Sequence, residues 1–421
     1  MLSTILSAFT VAEIRKKLAF TAMILALYRV GSYIPVPGID IDAVEASNQF
    51  EGDSILGLLN TFSGGGLSRI ALFALGIMPY ITASIILQLL TVVVPSLEKL
   101  QKEGEVGQQR ITQYTRYLTV GLAFAQSIGY VFLFRSSENG GAPIIPQFDV
   151  PHVFLIVLSL TAGTILLMWM GELITQRGIG NGISLMIFAS IVSGLPQGVQ
   201  GWVTNSDQVF KVMFPFIALA VVASICFIQE GQRRIPVQYA KRVIGRRMSG
   251  GGMTYLPLRV NMAGVIPVIF AASIMAFPPT IGQLINTPGA RSVANFFSPN
   301  NAPYLIGESI MIIVFTYFYT AVTFNPVDQA ENLKKYGGFI PGVRPGRPTA
   351  EFLDRILARL TFPGALYLAA VAALPTILIA QTSANFFFGG TSLLIVVGVA
   401  LDTMKQLEAQ LMMRNYEGFL K

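Results

Sequence analysis

Four ionisable residues lie within or at the ends of the long apolar segments of this chain, where such groups could bind ions or relay protons. They are Arg29, Glu172, Glu308 and Asp402. Secondary transporters and pumps place carboxylates or histidines at mid-depth for this chemistry. Here the four lie near segment ends or within snorkelling range of the surface. The pattern therefore speaks against a polar-solute secondary transporter, which is kept as the alternative function, and predicts no cofactor.

Histidine and cysteine each occur once, which limits covalent and metal chemistry. His152 precedes an apolar segment at the outer rim, and Cys226 lies inside another. A serine-type intramembrane protease needs a base nearer its nucleophile, and a single cysteine allows neither an internal disulfide nor a thiolate metal site. We therefore expect no catalytic residue, no metal and no enzymatic activity.

Two isoleucine pairs have the spacing of one helix face. Ile77 and Ile81 are four residues apart, as are Ile183 and Ile187. Branched, stiff apolar side chains can form a narrow constriction that excludes water. Isoleucine is also common on lipid-facing helices, so spacing alone does not assign a pore.

A short apolar run precedes three consecutive glycines. Residues 55–62 are too few to cross a bilayer, which needs about 20 apolar residues, yet they lie between two segments that are long enough. A short helix that is connected through a glycine hinge beside a helix bundle can block a channel. The sequence therefore predicts a plug at 54–66, hinged at Gly64, Gly65 and Gly66.

The elements that position these residues are membrane spans. The chain is 53% hydrophobic and 12% charged, whereas soluble domains carry about 25% charged residues. We predict ten spans in an all-α membrane protein. They are 18–34, 70–93, 117–134, 153–174, 183–199, 212–228, 262–284, 306–324, 361–381 and 393–411.

Basic residues orient these spans. With the N-terminus inside, four of the 29 lysines and arginines lie outside and Arg29 lies within the first span. All the others fall on the inner side, which predicts that both termini are cytoplasmic. The four on the outer side are Arg69, Arg135, Lys211 and Arg291.

Two inner loops, 230–261 and 325–360, are long. The first alternates Ile235, Val237 and Tyr239 with other residues and continues through Ser249–Gly252 to a second alternating run, which predicts a cytoplasmic β-hairpin with basic edges. Such a surface suits RNA phosphates, anionic lipid or an acidic protein. Positive-inside retention explains the sign of the charge but not the length of the loop.

Several long strings resemble the bacterial SecY family of protein-conducting channels. They are NPVDQAENLKKYGGFIPGVRPG, RGIGNGISLMIFASIVSGLP, QYAKRVIGRR, TYLPLRVNMAGVIPVIF and FGGTSLLIVVGVALD. The resemblance implies two inverted, pseudo-symmetric halves, spans 1–5 in residues 1–199 and spans 6–10 in 209–421, around a hinge loop at 200–208. It implies a channel in the bacterial plasma membrane that passes unfolded secretory proteins and releases transmembrane segments sideways into lipid.

The resemblance also implies roles for individual residues. The pore ring would be Ile77, Ile81, Ile183, Ile187, Ile269 and Ile395; the plug and its hinge Leu56, Leu59, Phe62, Gly64, Gly65 and Gly66; the lateral gate Thr82, Gln88 and Phe277; and the docking surface Arg242, Arg246, Arg247 and Arg344. The implied partners are the SecE and SecG subunits, the SecA ATPase, the ribosome through its RNA, signal peptides with nascent chains, and membrane lipid.

Overall fold

The computed structural model is mostly helical, with a small antiparallel sheet. It describes residues 11–40, 55–135, 144–204, 208–239, 242–244, 247–249, 253–276, 301–382 and 390–418, with a few single residues between these ranges. Of the predicted site residues, Phe277 and Arg246 lie outside the described residues. For Leu56, Arg242 and Arg247 only the backbone is described.

The described residues of the first part of the chain form eight helices. They are α1 Ala12–Gly31, α2 Ile55–Phe62, α3 Met78–Val93, α4 Pro95–Lys102, α5 Glu105–Arg135, α6 Val150–Arg177, α7 Gly182–Ser193 and α8 Leu195–Thr204, with a 3-10 turn at Leu67–Arg69.

In the second part, the described ranges contain six helices and five strands. They are α9 Gln208–Glu230, β1 Gln232–Tyr239, β2 Arg242–Ile244, β3 Arg247–Ser249, β4 Met253–Arg259, α10 Ile266–Met275, α11 Ala302–Thr323, α12 Pro326–Lys335, β5 Gly338–Phe339, α13 Arg347–Thr382 and α14 Gly390–Gly418.

Six stretches of helix among the described residues are long and apolar enough to cross a bilayer. A seventh arises if α3 and α4, which meet at an angle of 99°, cross as one. The bend has a local cause: Pro95 begins α4, and a residue before proline is pushed out of the helical region, as Val94 is. The six are Glu105–Arg135, Val150–Arg177, Gly182–Thr204, Lys211–Glu230, Ala302–Lys335 and Arg347–Leu374.

The number ten is not confirmed and stays a prediction. The predicted span 18–34 falls on α1, which carries basic residues at both ends, and span 393–411 falls on α14, whose second half is charged. Span 262–284 overlaps α10, a helix of 10 residues, and most of 277–284 lies outside the described residues.

The second predicted span begins later than its hydropathy suggests. The run is apolar from Ile70, but α3 starts at Met78. Ile70 and Gly76 have φ angles of 41° and 59°, which no α-helix accommodates. Pro79 lies in the first turn of α3, where its missing N–H costs nothing.

The predicted β-hairpin is present, and its cytoplasmic location stays a prediction. β1 pairs antiparallel with β4, with Ile235 opposite Leu256, and β5 adds a third strand to the other edge of β1. Ile235 and Val237 are buried in an apolar cluster with Leu353 of α13, whereas Arg233 and Arg234 are exposed. The apolar side chains of β1 thus pack the sheet against α13, while its basic side chains remain in solvent.

One large apolar core joins the two parts of the chain. Within the first part α5 packs on α3 and α6, and α7 packs on α6. Within the second part α11 packs on α10 and α13, and α14 packs on α9 and α13. Among the described helices, α3 packs against α10 and α7 packs against α14, and these contacts connect the two parts.

Candidate functional site: an apolar constriction beside a short helix

The six predicted ring isoleucines lie on four helices that pack in one apolar core, with Ile77 as the N-cap residue of α3. Five are at most 4% exposed, and Ile183 is half-buried against the same cluster. The contacts α3–α10, α7–α14 and α10–α14 bring their helices together. The arrangement can exclude water, because its lining offers no polar side chain from these six positions. Ile77 and Ile81 lie at the start of α3, Ile183 and Ile187 on α7, Ile269 on α10 and Ile395 on α14.

The short helix α2 packs beside this cluster. Leu59 and Phe62 are buried in the same apolar core, and α2 contacts α7. The described helix spans eight residues and ends before the glycines, as the sequence predicts. These contacts do not test whether α2 blocks a channel, and that role stays a prediction.

The glycine run forms a tight turn closed by local hydrogen bonds. The N–H of Gly65 donates to the carbonyl of Asn60 over 2.9 Å, and the Asn60 side-chain oxygen accepts from the N–H of Ser68 over 2.9 Å. Gly64 and Gly65 have φ angles of 68° and 83°, which other residues adopt only at a cost. The three glycines therefore have a specific turn geometry in this state.

The chain after the turn is fixed to the loop that follows α1. Pro35 and Ala71 form an antiparallel bridge, the N–H of Val36 donates to the Ile70 carbonyl over 3.1 Å, and the N–H of Leu72 donates to the Ile34 carbonyl over 2.8 Å. These bonds hold residues 70–72 in place independently of α2.

Two of the three predicted gate residues lie on α3. Thr82 is buried and donates to the Met78 carbonyl of its own helix over 3.0 Å. Gln88 is half-buried, and its side-chain oxygen has no hydrogen-bond partner among the described residues. Across from α3, the Ser273 hydroxyl of α10 lies 3.9 Å from the Met78 sulfur. The α3–α10 seam thus contains this sulfur–hydroxyl contact beside apolar packing.

The described docking arginines lie on two separate features, a turn and a β-hairpin. Arg344 is exposed on a turn whose carbonyl at that residue accepts from the Thr349 hydroxyl over 2.8 Å. Arg242 and Arg247 lie on the two strands of the β2–β3 hairpin, where they are paired with Ser249 and Ile244 respectively. The structure does not bring Arg344 and the hairpin arginines into a described contact.

Comparison with known proteins decides the family. The SecY family model matches residues 71–404. The chain belongs to the SecY family. The protein translocase subunit SecY of Streptomyces galbus is 49% identical over 438 residues, and that of Corynebacterium glutamicum is 48% identical over 440 residues; each match covers 100% of both chains.

Solved channels share the fold. A structure described as a protein-conducting channel superposes with a TM-score of 0.63 at 21% identity, over 93% of this chain and 91% of that one. Sec61 in the canine ribosome–channel complex from the endoplasmic reticulum superposes with a TM-score of 0.60 at 19% identity, over 93% and 91%. SecY-family membership therefore comes with the expected helical multi-pass architecture.

The sequence did not predict one ion pair of this SecY-family chain. Arg116 of α5 donates twice to Glu172 of α6, over 2.8 Å from Nε and 2.6 Å from Nη2. The Glu172 side chain is only 13% exposed. Both residues were placed near the inner ends of their spans, and that placement was the only signal available for pairing them.

A cavity of about 420 Å³ was also not predicted. Its lining comes from the starts of α7 and α10, the end of β4 and the middle of α14. Its charged lining comes from Arg259, Asp402 and Lys405.

Proposed function

We propose that this chain is the channel-forming subunit of a protein translocase, which passes unfolded secretory proteins across the membrane and releases apolar segments sideways into lipid. The observation that carries the proposal is the full-length similarity to translocase subunits named SecY, at 47–49% identity. A solved structure of the same fold is described as a protein-conducting channel.

The isoleucine cluster supports the passage itself. Six branched apolar side chains from four helices can fit around an extended polypeptide and repel hydrated ions, because a narrow apolar constriction dewets. Since these helices belong to both parts of the chain, a small separation of the parts would widen the ring. We propose a division into 1–199 and 209–421, hinged at 200–208, in which α3–α10 and α7–α14 are among the contacts between the two parts.

The α3–α10 seam supports lateral release. An apolar segment inside the channel gains free energy by moving into lipid, by roughly 0.5 kcal/mol for each leucine-like residue, whereas each charge loses about 3 kcal/mol. The contact described across this seam, between Met78 and Ser273, is a weak hydrogen bond to sulfur, and the surrounding packing is apolar. Thr82, Gln88 and Phe277 are the proposed gate residues along it.

The short helix supports the closed state. For a related solved structure, the plug domain of SecY is described as stabilising the closed state of the translocation channel and maintaining a membrane seal. In this chain α2 is the candidate plug, with Leu59 and Phe62 in the same apolar core as the ring. Leu56, Gly64, Gly65 and Gly66 complete the proposed plug and hinge.

The cytoplasmic basic residues support docking of partners. Two related structures are ribosome-bound complexes. Arg242, Arg246, Arg247 and Arg344 are proposed to contact SecA or ribosomal RNA, while SecE and SecG complete the complex in a bacterial plasma membrane. Both termini are proposed to lie in the cytoplasm.

Reconstitution tests the proposal. The chain, purified with SecE and SecG and placed in liposomes, should translocate a preprotein when SecA and ATP are added. Protection of the preprotein from external protease reports transport. A chain that assembles in liposomes and protects no preprotein, with SecA active on a reference translocase, contradicts the proposal.

A further inference from the structure

Two carbonyl groups at the end of α2 accept hydrogen bonds from consecutive residues of α1. The Tyr28 hydroxyl donates to the Ser63 carbonyl over 3.0 Å, and Nη1 of Arg29 donates to the Gly64 carbonyl over 2.8 Å. The last carbonyls of a helix and of the turn that follows have no partner within the helix and carry partial negative charge. A hydroxyl and a guanidinium from α1 therefore satisfy groups that α2 cannot satisfy itself.

Helix α7 joins the same network through Ser190. Its hydroxyl contacts the Tyr28 hydroxyl. Each hydroxyl has one proton, so both contacts of Tyr28 are satisfied when Ser190 donates to Tyr28 and Tyr28 donates to Ser63. Tyr28 is 1% exposed, and its ring stacks on Phe73 with centroids 5.9 Å apart. Water cannot readily replace these bonds, so breaking them costs more than breaking a surface bond.

The backbone of the turn is shaped for this contact. A Cβ at Gly64 would lie 2.7 Å from the Tyr28 hydroxyl and 3.3 Å from the Ser190 Cα. Gly65 has a similar positive φ, yet a Cβ there would meet its nearest atom, Nη1 of Arg69, at 3.5 Å. Between these two left-handed glycines, close approach to α1 and α7 is thus specific to Gly64.

Arg29 has a second partner besides the turn. Its Nη2 donates to the Tyr33 hydroxyl over 3.3 Å, and its guanidinium carbon lies 5.3 Å from the centre of the Tyr33 ring. The Arg69 guanidinium carbon lies 4.3 Å from the centre of that ring. Tyr33 can therefore hold the Arg29 side chain in place whether or not Gly64 accepts from it.

We propose that Tyr28 and Arg29 form a latch that holds the α2 turn in the closed channel and thereby sets how strong a signal sequence must be to open it. The latch is defined as these two side chains with the Ser63 and Gly64 carbonyls. The inference rests on the proposed function of α2 as a plug. Tyr28 and Arg29 are positioning residues, because they act on the passing chain only through α2.

The latch affects selectivity because opening is an equilibrium. A signal sequence opens the channel only to the extent that it binds the open state better than the closed state. Each latch bond favours the closed state by the same factor for every signal. A strong signal overcomes that factor, whereas a defective one does not, so weakening the latch benefits defective signals most.

The test uses three latch variants in proteoliposomes containing the complete translocase: Tyr28→Phe, Arg29→Gln and Arg29→Lys. Transport is measured for a preprotein whose signal carries a charge in its apolar core. Because a hydrogen bond to a charged group is worth a factor of about ten or more, Arg29→Gln should raise this transport about tenfold. Tyr28→Phe should raise this transport several-fold. Arg29→Lys keeps a charged donor, so transport by this variant should stay close to the parent value.

Tyr367→Phe is the matched control. The Tyr367 hydroxyl of α13 also pairs with a serine on a neighbouring helix, Ser224 of α9, over 2.7 Å, and lies in the other part of the chain. It should leave transport of the defective preprotein at the parent level. If Tyr367→Phe raises that transport as much as Tyr28→Phe does, general loosening explains the effect and the latch is overturned.

A second measurement does not depend on transport. Thr61 is half-buried on α2, and Cys226 is the single native cysteine. In a Cys226→Ser background, Thr61→Cys should react with a thiol reagent several-fold faster when Arg29→Gln is added. Equal labelling rates with and without Arg29→Gln overturn the latch.

Deletion of residues 55–65 separates the latch from the plug. If the deletion raises ion leak and defective-signal transport while the latch variants match the parent, the latch fails and the plug stands. If the deletion also matches the parent, the plug and the latch that rests on it both fail. If defective-signal transport rises both in the deletion and in the latch variants, the plug and the latch are both supported.

Discussion

At the scale of single side chains, the ring isoleucines are proposed to block ions in the resting channel by excluding water from the constriction. We expect Ile81→Ser combined with Ile187→Ser to raise ion conductance of the resting channel in planar bilayers about tenfold or more, because hydroxyls at two buried positions let water re-enter. Ile310→Ser is the control, since Ile310 is 55% exposed on α11. It should leave conductance unchanged. Unchanged conductance in the double variant would remove these residues from the ring.

Arg344 carries a separate prediction. We expect Arg344→Glu to reduce SecA-driven translocation at least several-fold while thermal stability in detergent stays within about 0.5 kcal/mol of the parent, because the side chain is exposed and reversal of its charge repels an acidic partner. Arg344→Lys keeps the charge and should retain more activity. Parent-level translocation by the glutamate variant contradicts a docking role.

Residue spacing predicted faces but not partners. The four-residue interval placed Ile81 with Ile77 and Ile187 with Ile183, and both pairs joined the core. Which faces of α3 and α7 point into the core depends on packing against α10 and α14, which lie far along the chain. The ring residues on those two helices, Ile269 and Ile395, were predicted only from the family resemblance. The bond from Tyr28 to Ser63 could not be predicted, because a backbone carbonyl that accepts from a distant side chain leaves no pattern in the sequence.

At the scale of elements, the Arg116–Glu172 pair joins α5 to α6. We expect Glu172→Gln to destabilise the protein by about 1–3 kcal/mol, because it weakens a two-bond charged contact and leaves Arg116 without its counter-charge. Glu351→Gln is the control: its partner Arg347 is 90% exposed, and such pairs contribute about 0.5 kcal/mol. Thermal unfolding in detergent measures both. Equal changes in stability for the two variants would show that the α5–α6 ion pair contributes no more than a surface pair.

Element boundaries followed hydropathy only where the backbone was regular. Asn181 caps α7 by accepting hydrogen bonds from the N–H groups of Ile183 and Ser184, so the helix starts at Gly182, one residue before the predicted span 183–199. The predicted start of the second span, Ile70, precedes the start of α3 because Ile70 and Gly76 take left-handed angles. Such angles follow from how the 70–77 segment packs against the α1 loop, which apolar composition does not encode.

At the scale of the whole molecule, the proposed mechanism requires α3 and α10, which pack against each other and belong to different parts of the chain, to separate. Met78 and Ser273 face each other across this contact, with 3.9 Å between the sulfur and the hydroxyl oxygen. A short covalent bridge at this point should therefore prevent opening without altering either part.

We expect Met78→Cys with Ser273→Cys, in a Cys226→Ser background, to translocate before bridging and to fall below about a tenth of that rate once a short reducible thiol crosslinker joins the pair. Reduction should restore transport. Ser127→Cys with Thr161→Cys is the matched control, since these hydroxyls lie 3.3 Å apart on α5 and α6 within one part. Bridging that pair should leave transport intact, because α5 and α6 move together. Full transport through the bridged Met78–Ser273 variant would show that the α3–α10 seam need not part, and passage would then require an opening elsewhere.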